Sequence, residues 1–575
     1  MPACARCKNL KAEIDHPDRK MARAFDFKTR ALLCLLLVAA AAGGCAPDAP
    51  PRVQLSPATV VPDRCGLVFW VDGMDIDHFA RLLEAGKLPN ISRYLTDRGV
   101  TVRGAVASLP TITYANNVSF STALLPGHHG IVGNKWFDRS KLIFQDYGAI
   151  KTYQQVDGDF SARTIYEVLG EEFTATILTP VRRGATRKID NWASAGIAWY
   201  FGLHETINEL TMLRFELIAD LANRTGRWPK FILAYFVTPD TVGHAQGASS
   251  QAYTDMLLDI DRRIGQICRS LDNAGVLKRT YVTLVSDHGF VDTPRHFDVA
   301  RHFSKTLKVA TISKRFGREA PLEKRQQHFA AAEAVVVAGG NRRCAIHLRA
   351  GEQWWRRPTA RQIDAFANSG TGKSPPGSAG PVGAGLPATL AAVPAVELAV
   401  VRLGDDSVRV QTAAGVGVID RVVRSGVKFY RYRVTRGTDP LGYASNAEAA
   451  ALMDGKHHDA DAWLAATLDT PKPDCVVQLV ELNDSPRAGD IMLFAADGWD
   501  FAPGDRGGHG GLLRHEIVVP WVWAGPGLPR GAAITAARTV DLMPTMLDLI
   551  GRPHAIPPGL DGRSIARRLR NARKD

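Results

Sequence analysis

Three short runs of almost uninterrupted apolar residues constrain this chain most. They are Leu67–Val71, Phe231–Val237 and Tyr281–Ser286, and each leads into a stretch carrying an aspartate: Asp72, Asp240 and Asp287. A strand without polar alternation is covered on both faces, the condition of a parallel sheet flanked by helices. Helical spacing lies between the runs. In Met256–Leu271 the apolar residues fall at Leu257, Ile260, Ile264, Ile267 and Leu271, and Asn273-Ala274-Gly275 supplies an end signal. The alternation predicts a doubly wound α/β core. Groups at the carboxyl ends of its strands would then gather in one crevice.

From about Ala310 the pattern changes. Val396–Val401, Ser407–Thr412, Val416–Val422 and Phe429–Val434 read as short antiparallel strands separated by turns. Residues 369–388 form a Gly/Pro/Ser-rich loop. Its Gly370-Thr-Gly-Lys-Ser374 lacks the glycine spacing, the strand and the helix of a phosphate-binding loop. The core pattern returns at Asp490–Ala495 and Glu516–Ala524. The expected organisation is a core in two parts, 64–310 and 481–575, with a smaller α+β insertion or cap at 311–480.

With 45% apolar and 22% charged residues, the 575-residue chain has a globular composition. Much of the net charge of +13 sits at the two ends, and no stretch interleaves basic and aromatic residues, so no nucleic-acid groove is expected. Lys28 and Arg30 precede the apolar run Ala31–Ala42, a signal-peptide pattern too short to span a bilayer. Gly43-Gly44-Cys45 resembles a bacterial lipobox, with Ala42 where leucine is usual. The expectation is a signal peptide over 1–44 with its true start possible at Met21, and a tether over 45–63. Cys45 would be lipid-modified, and the protein held at the membrane in the periplasm or on the cell surface. Cys65, Cys268, Cys344 and Cys475 allow three full disulfide pairings, which sequence leaves open.

Each candidate for chemistry is ordinary alone. Asp72 could be a turn residue, Asp240-x-x-x-His244 a helix-surface pair, Asp287-His288-Gly289 a turn, and His509 in Arg506-Gly-Gly-His-Gly-Gly511 a loop histidine. Together they form a mixed nitrogen/oxygen set suited to zinc, and burying so many carboxylates without cations would be very costly. Two metals ~4 Å apart clamp the attacking and leaving oxygens of an in-line displacement. Thr113 reads as the N-cap of a helix over Ala115–Leu125, where a hydroxyl meets free backbone N–H groups. Coordination would activate it as a nucleophile; Thr111 is the neighbouring alternative.

Pro110-Thr-Ile-Thr-Tyr-Ala-Asn116 and Leu125-Pro-Gly-His-His-Gly-Ile-Val-Gly-Asn134 resemble the nucleophile segment of the type I phosphodiesterase/nucleotide pyrophosphatase family, within the alkaline phosphatase superfamily. Val540-Asp-Leu-Met-Pro-Thr545 and Leu560-Asp-Gly-Arg-Ser564 are similar to the superfamily's C-terminal pattern. The resemblance implies an alkaline-phosphatase-like fold and two Zn2+ ions. Asp240, His244 and His509 would hold one, and Asp72, Thr113, Asp287 and His288 the other. It also implies that Asn134 and the backbone of the Thr113 turn donate to a phosphoryl oxygen. Tyr114-Ala115 stands where the family commonly has Phe-Pro, at the platform for the leaving group. The implied activity is hydrolysis of a phosphodiester or nucleotide pyrophosphate through a phosphothreonine. Alternatives are a phosphomonoesterase, with Arg182, Arg183, Arg187 and Lys188 as extra cations, a phosphonate hydrolase, or a non-catalytic surface-binding lipoprotein.

Overall fold

In the computed structural model, residues 49–148, 152–190, 196, 198–199, 201–366 and 385–574 are described. Strand β1 (Cys65–Val71) lies between β2 (Phe231–Phe236) and β3 (Thr280–Ser286) and is parallel to both. All three are buried along their whole length, which explains the missing polar alternation. Their register sets the site. Val71 pairs with Phe236 on one side and Ser286 on the other, so the chain leaves all three strands at one level.

The order of this sheet is Arg573–Lys574, Ala532–Arg538, Gly99–Val106, Trp521–Ala524, β3, β1, β2, Thr174–Ile177 and Arg187–Ile189, and Val518–Val519 also pairs with Gly99–Val106. Trp521–Ala524 runs antiparallel to both neighbours and makes the sheet mixed, with parallel pairing on either side of it. The predicted amphipathic helix spans Gln251–Asn273 and buries Leu257, Ile260, Ile264, Ile267 and Leu271. Ser250 caps it by accepting the Tyr253 N–H, and Gly275 leaves it at φ +69°.

A second sheet has the order Thr311–Ile312, β4 (Ala334–Gly339), β5 (Arg343–Leu348), β6 (Ile491–Ala495), Val396–Gly404, Ser407–Gln411, Gly415–Arg424, Val427–Gly437 and His458–Asp459. The four antiparallel strands expected between 396 and 434 are all in it. One expectation fails here. Ile491–Ala495, read as the return of the core, instead lies between β5 and Val396–Gly404, antiparallel to both. A strand buried on both faces carries the same apolar run in either kind of sheet, so its sequence does not name its partners. Of the loop expected over 369–388, residues 369–384 lie outside the described ones, and Leu386–Ala391 is a short helix.

Cys65, Cys268, Cys344 and Cys475 are buried free thiols, so none of the three pairings is present. The expected signal peptide and Cys45 fall outside the described residues. Among the described residues no helix is long and apolar enough to cross a membrane.

Candidate active site

Helix α1 (Thr113–Thr122) begins beside the ends of β1 and β3. Ile112, with extended backbone, is its cap residue, and Thr113 is the first helical residue rather than the N-cap expected. The Thr113 hydroxyl is thereby free of any capping bond, and its Oγ1 lies 3.3 Å from His288 Nε2. The segment before it is tied down by Asn116, whose side chain accepts the Ser108 N–H (2.8 Å) and donates to the carbonyls of Ser108 and Pro110. The helix ends at Thr122, short of Leu125, because Ala123 adopts φ +58° and its carbonyl accepts the N–H groups of Asp561 and Gly562.

Two groups of side chains adjoin here, one containing His288 and the other linked to it by the stacked ring of His509. Asp240 and His244 lie one turn apart on helix α2 (Thr238–Gln246), and His509 joins them, with His244 Nε2 at 3.4 Å and His509 Nε2 at 3.3 Å from Asp240 Oδ1. Asp72, Asp287 and His288 form the second group, with His288 Nε2 at 3.2 Å from Asp72 Oδ1 and 3.5 Å from Asp287 Oδ2. Within each group the ligand-type atoms all lie within 4.8 Å of one another.

Three observations test whether cations fit. Each histidine has its Nδ1 on a main-chain oxygen: His244 on Gly507 (3.0 Å), His288 on Gly289 (3.0 Å) and His509 on Thr111 (2.8 Å). A carbonyl accepts only from N–H, so Nδ1 carries a proton in each ring, and in the neutral form, the one that binds a cation, Nε2 turns its lone pair into the site. Secondly, Asp72 and Asp287 are each anchored through one oxygen, Asp72 by the Tyr235 hydroxyl and Asp287 by the N–H groups of Gly73 and His288. Their other oxygens, Asp72 Oδ1 and Asp287 Oδ2, and likewise Asp240 Oδ1, are buried and accept no hydrogen bond. Thirdly, the electrostatics call for positive charge. Burial and the neighbouring Asp287 and Asp240 push Asp72 up, and burial pushes Asp287 up. Burial disfavours charge on His244 and His288, yet the carboxylates raise them to about 10 and about 9. Divalent cations would satisfy the same carboxylates in place of those protons. Each group therefore fits a cation.

The other residues singled out in the sequence take different places around the site. Thr111, the alternative nucleophile, donates its hydroxyl to Gly511 O (2.7 Å) and accepts the Gly510 N–H (3.1 Å), so it fastens the His509 loop. Asn134 Oδ1 accepts the Tyr114 N–H (3.1 Å), which fixes the amide and leaves its NH2 as the donor face. That N–H of the nucleophile turn is therefore committed to Asn134. Tyr114 stacks on Tyr147 at 4.7 Å. Arg182 pairs with Asp190, and Arg183 with Glu167 and the carbonyls of Asp157 and Phe160, while Arg187 and Lys188 are exposed on an edge strand. A third group, His128, Glu481 and Asp561, is already charge-balanced by Arg421 and Lys428.

Residues 67–353 match the family model described as type I phosphodiesterase / nucleotide pyrophosphatase. The chain belongs to the type I phosphodiesterase/nucleotide pyrophosphatase family. Among its relatives, an uncharacterized pyrophosphatase/phosphodiesterase of Schizosaccharomyces pombe is 25% identical over 236 residues, 40% of this chain and 45% of that protein. Human ectonucleotide pyrophosphatase/phosphodiesterase family member 5 is 27% identical over 202 residues, 34% of this chain and 39% of that protein. The matched stretch thus spans less than half of these relatives. The solved structure of murine ectonucleotide pyrophosphatase/phosphodiesterase 5 superimposes with a TM-score of 0.50 at 14% identity, covering 88% of this chain and 99% of that one. This likeness concerns the fold, and it accords with the expected alkaline-phosphatase-like architecture.

Proposed function

We propose that this family member is a two-zinc phosphohydrolase that cleaves phosphodiester or nucleotide pyrophosphate bonds through a phosphothreonine on Thr113. The observation that carries the reading is Thr113 Oγ1, 3.3 Å from His288 Nε2, with one buried and one partly buried nitrogen/oxygen group that hold orphaned carboxylate oxygens. Zinc bound there, by Asp240, His244 and His509 and by Asp72, Asp287 and His288, would neutralise phosphoryl charge and favour the deprotonated forms of a hydroxyl and a water.

The chain's own residues do the rest. Thr113 Oγ1 forms a bond to phosphorus as the bond to the leaving oxygen breaks, and water then attacks the same phosphorus to release Thr113. The Asn134 NH2, held in orientation by the Tyr114 N–H, donates to a phosphoryl oxygen, where such displacements demand stabilisation. Tyr114 and Tyr147 offer an aromatic wall to the leaving group.

A diester or pyrophosphate is favoured over a monoester because Arg182 and Arg183, two of the extra cations expected for a monoester, are committed to Asp190 and Glu167. Export, lipidation at Cys45 and a periplasmic or cell-surface location belong to the same proposal, on the N-terminal pattern alone. The deciding assay compares turnover of a nitrophenyl diester, a nitrophenyl monoester and a nucleotide pyrophosphate, with and without chelator. Chelator-insensitive turnover, or none on any substrate, overturns the proposal.

A further inference from the structure

The second sheet reaches the site through one turn. Strands β4 and β5 pair antiparallel as far as Gly339 opposite Arg343, leaving Gly340, Asn341 and Arg342 between them. All three lie against the His509 loop. The His509 N–H donates to Gly340 O (2.9 Å), and the Arg342 N–H donates to His509 O (3.0 Å). Gly340 has φ +58°, and a Cβ there would stand 2.7 Å from His509 O and 3.1 Å from its ring. Asn341, at φ +70°, donates its amide N–H to Asp505. The Asp505 carboxylate in turn lies 3.3 Å from His244 Nδ1 and faces its N–H, so Asn341 acts on that ring through Asp505. Arg342 and Glu516 are fully buried and paired at 2.9 Å, and Glu516 accepts the Gly511 N–H at 2.7 Å.

These contacts do not read as simple packing between sheets. His509 sits in a run of glycines that holds no ring in place by itself. Each residue of the turn fixes a different part of the group: the main chain of His509, the outer nitrogen of His244, and the glycines after His509. Such outer partners set the orientation of ligand rings.

We infer that Gly340–Arg342 is a positioning element that sets His244 and His509 against Asp240, so that the second sheet completes one cation site and leaves the Asp72, Asp287 and His288 site independent. The inference rests on the two-cation reading above. Glycine tolerates the positive φ of Asn341, so Asn341→Gly removes the side chain alone; Gly340→Ala drives a methyl at His509. The inference is tested by a zinc titration of the full chain, using equilibrium dialysis with elemental analysis, for wild type and both variants. Far-UV circular dichroism and the melting temperature of the chelated proteins are measured alongside. The wild type should hold two zinc ions. Each variant should hold one with unchanged affinity and the other about tenfold to a hundredfold more weakly, while chelated Asn341→Gly melts near the wild type. Variants that bind both ions as the wild type does, or a change confined to melting temperature, overturn the inference and leave the two-cation reading standing. A wild type that binds fewer than two ions overturns that reading, and this inference with it.

Discussion

The imidazole rings of His288 and His509 lie parallel, with centroids 3.6 Å apart and 4° between their planes. They belong to different ligand groups, so the two groups share a wall made of two rings. In the proposed reaction both groups act on one phosphoryl group, and residues that act as a unit are where additivity in turnover fails. His288→Ala and His509→Ala should each lose most turnover, and the double variant should lose far less than the product of the two losses. A multiplicative double variant, in steady-state kinetics, contradicts a shared site.

Thr113→Ala should lower kcat on the order of 10^4-fold or more, the scale seen when a covalent nucleophile is deleted. Zinc content should stay at the wild-type level, since the six Asp and His groups remain. Near-normal kcat removes Thr113 from the nucleophile's place.

Thr111→Val should behave differently. It strips a partner from Gly511 O and from the Gly510 N–H, both buried, which costs about 1–3 kcal/mol per orphaned group. The expected result is a lower melting temperature and partial activity, well above that of Thr113→Ala, with recovery in Thr111→Ser. Loss as complete as that of Thr113→Ala would return Thr111 to candidacy as nucleophile.

Chelation should abolish turnover and lower the melting temperature, and added zinc should restore both. A ligand that binds only the folded state stabilises it in proportion to the logarithm of its concentration, about 1.4 kcal/mol per tenfold excess. A melting temperature indifferent to zinc concentration contradicts cation binding at these groups.

The His128 cluster, separate from the two ligand groups, gives a pH prediction. Burial opposes charge on His128, but Asp484, Asp561 and Glu481 raise it to about 11, with Arg421 and Lys428 also facing the cluster. Burial opposes ionisation of Glu481 and Asp484, yet His128 and Arg421, with Lys428 at Glu481, hold both below their ordinary values. The raised histidine contributes stability that is complete below its unfolded value of about 6.5 and is lost as pH climbs toward 11; the lowered carboxylates contribute stability above roughly pH 4 that is lost as pH falls. His128→Gln should remove the alkaline part of this dependence. Melting temperatures with the same alkaline slope in both proteins would refute it.

The core was legible because β1, β2 and β3 are buried on both faces, and their carboxyl ends carry Asp72, Asp287 and the helix bearing Asp240. The antiparallel strands between 396 and 437 were legible because their turns are short and glycine-bearing. Ile491–Ala495 was misplaced because an apolar run shows burial and not partnership. Tyr235, Asn341 and the fastening contact of Thr111 stayed hidden for a related reason. Each acts on a residue far away in sequence, and a tyrosine inside a strand or a threonine beside another carries no periodic mark of that contact. Asn116 left a local signal, a polar side chain at a fully buried helix position.

The position of Ile491–Ala495 in the second sheet bears on how the molecule assembles. After Asp287 the chain builds that entire sheet before it reaches His509 and returns to lie beside β3 as Trp521–Ala524. Newly made protein holding only β1, β2 and β3 has one ligand group whole and the other missing a histidine. Contacts this distant in sequence close late, and cation binding draws its free energy from the folded arrangement. On the two-cation reading proposed above, the cation held by Asp240, His244 and His509 would mark completed folding, because only a chain that has finished both sheets could retain it.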